Sequence, residues 1–550
     1  MKSRLLQRLL ACALCACVLC ACVLTGAAAQ GDPLGKYEPA IDIRFVRTID
    51  DDLSSNVLPS TPDETMESNR WLKLYSDELG INVTYDWTVA GGYTDDAYMQ
   101  KINVTLASGD LPDVVNVNAQ QLKQLVDADM IEDMTSYWAD YASDFSKSIY
   151  TEEGESVLNS ATFGGKLMAI PNVDASIECA QFLWIRKDWL DKLGLEVPTT
   201  MQELLAVADA FTTQDPDGNG VDDTFALAIT KNLYSGCMGT EGFFAGFHAY
   251  PNFWMQKADG SLAYGSVQPE MKAALQALAD MYAKGALDKE FGVKDGGKVA
   301  ESIAAGKCGI DFGEQWNPIY PLLSNHANDN GANWIGCNIV SIDETLPKVP
   351  LKFRTARYFA VKKGYEHPEA VVKMINMHLE KNWGETNDFG YYYMPAENAN
   401  TSVWKFSPVT PFPPYKNLNA FQELQKARAA NDMNLLKGEA KSIQASLERY
   451  AAGDMSLWGW YKIYGEDGVY LVLEDYQANN QLLVESFVGA PTPTMVERRS
   501  TLEKMEKEVF VKIIMGAAPI DEFDKFVNDW NELGGSSITQ EVNDWYASLK

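Results

Sequence analysis

The chain has 550 residues, with 46 Lys and Arg against 76 Asp and Glu, for a formal net charge of −30. Such a balance argues against nucleic acid and anionic membrane as partners and favours a neutral or cationic ligand only weakly. A length of this order exceeds what one hydrophobic core usually spans, so two or more lobes are expected.

Lys2, Arg4 and Arg8 form a positive start, and Leu9 to Leu24 is an unbroken apolar run of 16 residues. A membrane span needs roughly 20, so the segment reads as an export leader set apart from fold reasoning. Two processing sites compete. Ala27-Ala28-Ala29 before Gln30 fits ordinary signal peptidase, whereas Leu19-Cys20-Ala21-Cys22 fits a lipobox that would leave Cys22 lipidated as the first residue; the lipid-anchored form is favoured. Removing the leader's three cations takes the net charge from −30 to −33.

From residue 39 onward, strand-like runs alternate with helical patterns, which predicts parallel α/β layers. Ala40–Ile49 reads as a strand, Asp63–Gly80 as a helix and Ile81–Trp87 as a second strand. Asp95–Gly109 is helical, and Pro112–Val117 is a third, buried strand. Past Gly165 the pattern restarts, with strands over Lys166–Val173 and Ile177–Arg186. The capping box Thr200-Met-Gln-Glu203 opens a helix that runs to Phe211.

The acidic loop Asp215-Pro-Asp-Gly-Asn-Gly-Val-Asp-Asp223 follows. A hard cation such as Ca²⁺ takes six to eight oxygens at about 2.3–2.6 Å, which a tight loop supplies from alternate positions. Asp215, Asp217, Asn219 and Asp223, with the Val221 carbonyl, meet that need, and Gly220 permits the sharp turn. Position 12 is Ala226 where an EF-hand has a bidentate Glu, so Asp222, Thr224 or water would complete the shell. The alternative is an Asx-rich turn without metal. In either case the loop is structural, since no water-activating base stands beside it.

Phe225–Ile229 then reads as a strand. A helix carrying Met271, Leu275, Leu278 and Tyr282 on one face ends at Gly285. Cys308–Phe312 is a strand with Trp316 just after it, and from about residue 368 the chain is mostly helical. Outside the leader only Cys179, Cys237, Cys308 and Cys337 remain, spaced like no zinc motif, and buried free thiols are expected. No GxSxG, HExxH, P-loop or helix-opening GxGxxG is present, and His248, His326, His367 and His378 lack metal-ligand spacing.

Several segments together resemble the extracellular solute-binding proteins of ABC importers, in particular the carbohydrate-binding group and its large Gram-positive lipoprotein and alginate-binding members. They are Ala107-Ser-Gly-Asp-Leu-Pro-Asp-Val-Val115, Gly165-Lys-Leu-Met-Ala-Ile-Pro171, Trp184 to Gly194 with Pro198-Thr-Thr200, Ala304 to Phe312 continuing to Trp316, and Phe523 to Trp530 with Trp545-Tyr546. The resemblance implies a type II periplasmic-binding-protein-like fold: two α/β lobes, parallel-rich sheets flanked by helices, and a helical C-terminal extension. It divides the chain into residues 37–165 of the first lobe, a second lobe over 166–350, and a return over 351–550 with helices spanning both lobes. It also implies a monomeric receptor that docks on a membrane permease, and it makes the acidic loop a structural Ca²⁺ site. Where the alginate-binding members carry an acid at the tenth loop position, this chain has Thr224.

Sugars offer apolar C–H faces and a rim of hydroxyls, matched by flat rings and planar amides or carboxylates. In open α/β sheets, ligands sit beyond the carboxyl ends of strands. Trp316, Asn118, Asn172, Asp174, Trp254 and Trp87 are the candidates on those grounds, with Asn118 favoured over Asn116. Arg47, Arg354 and Arg357 are the cations available should the sugar be a uronate. Two alternatives stand beside the carbohydrate receptor. One is a secreted glycoside hydrolase or lyase. The other is a peptide- or metal-binding receptor on the same fold.

Overall fold

The computed structural model describes residues 31–395 and 401–549. The leader, with Cys22 and the Ala29 cleavage site, lies outside them.

Apolar side chains collect into two separate cores. Ile43, Phe45, Val114, Val115, Ile170, Phe359 and Ile375 belong to the first; Phe182, Trp184, Leu204, Leu275, Phe312, Phe421 and Phe526 belong to the second. The chain enters the first core at strand Ile41–Ile49 and leaves it after Ile170–Pro171. It builds the second from Ile177 to Leu351, returns to the first over residues 358–409, and ends in the second. The C-terminal helices therefore divide. Helix Glu369–Trp383 is in the first core, while those from Lys416 to Ser548 contribute to the second; Lys416–Ala430 and Gly438–Ala451 also share a cavity with Phe145 and Trp383 of the first lobe.

In the first lobe, Ile41–Ile49 pairs parallel with Ile81–Ala90. Tyr358–Val361 lies between Val114–Val117 and Ile170–Pro171, antiparallel to both. The second lobe holds a four-stranded sheet ordered Trp334–Cys337, Phe182–Arg186, Cys308–Gly313, Phe225–Leu227, in which only the last pairing is parallel. The expected parallel layers are thus mixed sheets. In the first lobe, Tyr358–Val361 re-enters from the second and runs opposite to Ile170–Pro171, on which the chain left.

Phe182–Arg186 and Cys308–Gly313 are buried at every position, as strands covered on both faces must be. Gly309 is a packing requirement, since a Cβ there would stand 2.5 Å from Trp189 and 2.6 Å from Phe211.

Local chemistry moved several element boundaries. The helix expected from Asp63 begins at Arg70, because the Asn69 side chain accepts from the backbone N–H of Trp71 and of Leu72. The strand expected over Lys166–Val173 breaks in two. Gly164 and Gly165, both at positive φ, turn Lys166–Leu167 back on Thr162–Phe163 as a hairpin. Ile177 starts no strand, since Glu153 takes its N–H at 2.8 Å and Ser176–Cys179 coils as a 3₁₀ turn before Phe182. The Thr200–Glu203 capping box forms as expected, ahead of helix Met201–Thr213. The four cysteines among the described residues are free thiols, Cys237 and Cys308 buried. No helix among the described residues is long and apolar enough to cross a membrane.

Glu506, 2% exposed on helix Pro493–Ile514, accepts hydroxyls from Tyr234 at 2.8 Å, Ser266 at 2.9 Å and Tyr264 at 3.2 Å. Burial pushes its carboxyl up to about 7 even though the hydroxyls pull the other way. A folded-state value above the unfolded one means the folded protein binds the proton more tightly. Its stabilising contribution is complete below about pH 4.5 and lost as pH rises through about 7, on the order of 3 kcal/mol. Glu506→Gln, which keeps the shape without the charge, should flatten the fall in stability between pH 5 and 8, measured by urea unfolding across that range.

Candidate functional site

The carboxyl ends of three first-lobe strands converge on the passage between lobes. Ile41–Ile49 delivers Arg47, Thr48 and Asp50; Ile81–Ala90 runs into Gly92, Tyr93 and Thr94; Val114–Val117 ends in Asn116 and Asn118. Chain crossings close the other side with Asn172, Asp174, Arg354 and Arg357, and the loop that follows helix Phe389–Tyr392 adds Trp404, Lys405 and Thr410. Together they enclose a cavity of about 370 Å³.

The crossings hold one another. Asn172 N–H donates to the Arg357 carbonyl at 2.8 Å, Asp174 N–H to the Thr355 hydroxyl at 3.2 Å, and Phe412 N–H to the Val173 carbonyl at 2.9 Å. Asn172 Oδ1 also accepts from Thr410 N–H at 3.3 Å.

Two buried polar atoms on this cavity have no protein partner among the described residues: Asn116 Oδ1, an acceptor, and Arg47 Nε, a donor. The rest of the Arg47 guanidinium is engaged with the Phe406 carbonyl at 3.0 Å, the Lys405 carbonyl and the Tyr85 hydroxyl. A buried polar atom without a partner costs about 1–3 kcal/mol; neither atom has surface open to the cavity, so a ligand meets them only if the wall rearranges.

Flat faces stand beside them. The Arg357 guanidinium lies 4.4 Å from the Tyr93 ring centre, and Trp404 packs edge-on against Phe412 at 4.6 Å. Lys405 Nζ is 3.0 Å from both Asp50 and Asp52, which neutralise it. Arg354 reaches across the crossing to within 3.9 Å of Glu314, whose Oε2 accepts the Trp316 indole N–H at 2.5 Å. Burial works against the Arg354 charge, but Cys179, Asp174, Glu314 and Glu178 outweigh it and hold the guanidinium charged. Burial raises Glu314 itself, with Trp316 and Arg354 pulling back.

Of the six residues read from the sequence, the structure brings Asn118, Asn172 and Asp174 together on this cavity. Asn118 is first of all a helix cap. Its Oδ1 accepts from Gln121 N–H at 2.9 Å, and its own N–H donates to the Gln121 side chain at 3.1 Å. Asp174 Oδ1 accepts the Ala175 N–H at 2.7 Å. Trp316, half-buried, does not line the cavity and meets it only through Glu314 and Arg354. Trp87 is turned under helix Asp96–Ser108, donating to Thr105 at 3.2 Å with Lys101 over its ring at 4.8 Å. Trp254 is buried in a different cavity, beside Tyr264 and Phe487. Asn116, Tyr93, Trp404 and Thr410 were not selected from sequence. The Gly91-Gly92 break after a strand was the one local sign of Tyr93.

The acidic loop is folded on itself. Asp215, at φ 46°, accepts the N–H groups of Gly218, Asn219 and Gly220 at 2.9–3.1 Å. Asn219 Nδ2 donates to Asp217 at 2.7 Å and to Asp223 at 3.3 Å, and Val221 N–H donates to Asn219 Oδ1 at 2.6 Å. The Asp215 and Asp217 carboxyls share a hydrogen bond, which lowers Asp215; burial, and then that bond, raises Asp217. Two carboxyls so close call for a proton or a cation between them. Lys307 pairs with Asp223, Lys192 Nζ donates to the Pro216 carbonyl at 2.8 Å, and the Thr224 hydroxyl is spent on the Phe211 carbonyl at 2.8 Å. Among the described residues, no three His, Cys, Asp or Glu side chains gather on one centre. The oxygen donors suit Ca²⁺ in kind, and Lys307 would have to release Asp223 for all of them to meet it.

The sequence matches the family model of bacterial extracellular solute-binding proteins over residues 68–381. It is similar to the polygalacturonan/rhamnogalacturonan-binding protein YtcQ of Bacillus subtilis (strain 168), being 25% identical over 461 residues that cover 82% of this chain and 83% of that one. It is 29% identical over 255 residues to the fructooligosaccharide ABC transporter substrate-binding protein FusA of Streptococcus pneumoniae serotype 4, a match covering 43% of this chain and 44% of that one. In fold it is similar to an extracellular solute-binding protein from Bifidobacterium longum subsp. infantis, with a TM-score of 0.61 at 16% identity over 94% of this chain and 99% of that one.

Because Asn118 is committed to its cap, Asn118→Ala should lower unfolding stability by about 1 kcal/mol. Ligand affinity should stay within about twofold, and a larger loss by calorimetry would make Asn118 a ligand contact.

Proposed function

The chain belongs to the bacterial extracellular solute-binding protein family, and we propose that it captures an oligosaccharide between its two lobes and passes it to the membrane permease of an ABC importer. The observation that carries the reading is a cavity at the carboxyl ends of the first-lobe strands that presents the Tyr93 and Trp404 rings beside Asn116, Arg354 and Arg357. The rings cover sugar C–H faces, and the amide and guanidinium groups meet hydroxyls and ring oxygens. In this reading the protein is a monomeric binding receptor and not an enzyme.

An acidic sugar fits better than a neutral one. Arg354 and Arg357 line a cavity in a chain of net charge −30, and Arg357 has no carboxylate within ion-pair distance among the described residues. A guanidinium presents a planar fork suited to a carboxylate. The similarity to a polygalacturonan/rhamnogalacturonan-binding protein points the same way.

Structural Ca²⁺ at the acidic loop belongs to this proposal. Asp215, Asp217, Asn219, the Val221 carbonyl and Asp223 would hold it, and the ion would offset the repulsion between the Asp215 and Asp217 carboxyls. Lipidation at Cys22, with the protein on the outer face of the cytoplasmic membrane, completes the reading.

Galacturonate and neutral oligosaccharides should be compared by calorimetry, with product analysis alongside. Uronates should bind without turnover, and Asn116→Ala should weaken every bound sugar by about tenfold, a loss of about 1.4 kcal/mol. Arg357→Met should weaken uronates alone and reduce their salt dependence. Sugar consumption would sink the receptor assignment, and equal loss for neutral sugars would sink the uronate preference. Adding Ca²⁺ should raise the melting temperature, and Asp217→Asn should abolish that rise. Cys22→Ser should move the protein from the membrane fraction to the medium.

A further inference from the structure

A second cavity, of about 240 Å³, lies against the same crossing segment as the first. Phe353 and Thr355 line it, whereas Arg354 and Ala356 line the sugar cavity. Neighbouring residues of one stretch of chain thus line the two cavities.

Aromatic rings wall the second cavity. Trp254 and Phe487 meet at 62° with centres 6.2 Å apart, forming a corner, and Tyr264 stacks on Trp530 at 5.2 Å. Three charged groups line it. Arg499 and Glu503 cancel each other through a 2.7 Å ion pair. Glu485 makes no ion pair; burial pushes its carboxyl up to about 7, and Lys352 and Arg499 pull it back only from farther off. Glu485 Oε2 accepts the Phe353 N–H at 3.2 Å, and among the described residues no cation stands within ion-pair distance of it. Lys352, the nearby ammonium, is turned to Glu241 at 3.7 Å and to the Tyr234 ring.

A buried carboxyl without an ion pair, set among ring faces, is the arrangement that gains a proton or attracts a cation in its place. The faces add cation–π attraction of about 0.5–2 kcal/mol, greatest for a cation that sheds water readily. That condition selects an organic ammonium over a strongly hydrated metal ion. We propose that this cavity is a second binding site, for a small organic cation, with Glu485 as counter-charge and the Trp254–Phe487 corner as its walls. The site is independent of the identity of the sugar. It touches the crossing directly, since Glu485 N–H donates to the Leu351 carbonyl at 3.0 Å while its side chain holds Phe353.

The test is calorimetric titration of the mature protein with choline, with tetramethylammonium, and with 3,3-dimethylbutan-1-ol, the neutral isostere of choline. The cations should bind saturably at one site, and the isostere at least tenfold more weakly. Glu485→Gln, which preserves size, should weaken choline at least tenfold, and Trp254→Leu should weaken it as well. Absence of saturable binding by both cations would overturn the proposal. So would equal binding of the isostere, a comparison made on the unmodified protein that needs no variant to fold. Unchanged affinity in folded Glu485→Gln would overturn it too.

Discussion

Three passes of chain run side by side between the lobes, and their mutual hydrogen bonds are the constraint on which the rest of the molecule depends. Residues 170–175, 352–358 and 409–416 are tied by Asn172 N–H to Arg357, Asp174 N–H to Thr355 and Phe412 N–H to Val173. Each lobe has its own core, so these passes are what fix one core against the other. They also form the floor of the sugar cavity. The site is therefore built on the element that must bend when the lobes close, which is how ligand contact comes to bias the closed state.

Charge is distributed in the same spirit. The chain is strongly acidic overall, yet guanidinium groups gather at the crossing. Arg47 is locked by backbone carbonyls and Lys405 by two aspartates, leaving Arg357 and part of Arg354 toward the cavity. On the second-lobe side, Glu314 and Glu178 are pushed upward by burial and held by Trp316, Arg354, Gln315 and Asn417. These two glutamates stand behind the cavity and meet it through Arg354. At the acidic loop, Lys307 and Lys192 attend to the turn itself.

Much of this was legible along the chain wherever the cause is local. The Thr200–Glu203 box, the buried runs Phe182–Arg186 and Cys308–Gly313, and the restart of the pattern after Gly165 are decided within a few residues by capping, apolar continuity and turn chemistry. The Asn69 cap was equally local and was missed because Asp63 opens a polar run ahead of it that could equally start a helix. Choosing Asn118 over Asn116 went astray for a different reason. Both amides close the same strand, but the neighbour Gln121 occupies Asn118, and only the folded cavity leaves Asn116 Oδ1 without a partner. Trp254 and Trp87 met the compositional test for a sugar ring and were turned elsewhere by their surroundings.

The sequence by itself determined the two-lobed class, the family resemblance and the position of the crossings, because periodicity, caps and apolar runs act over short stretches and keep their order along the chain. Tertiary structure alone decided the pairing direction of the re-entering strands, the lobe to which the last helices belong, and which rings and amides face the ligand. Those outcomes depend on residues more than 200 positions apart, such as Asn172 with Thr410, meeting in space. Their burial and hydrogen bonding exist only once both cores have formed.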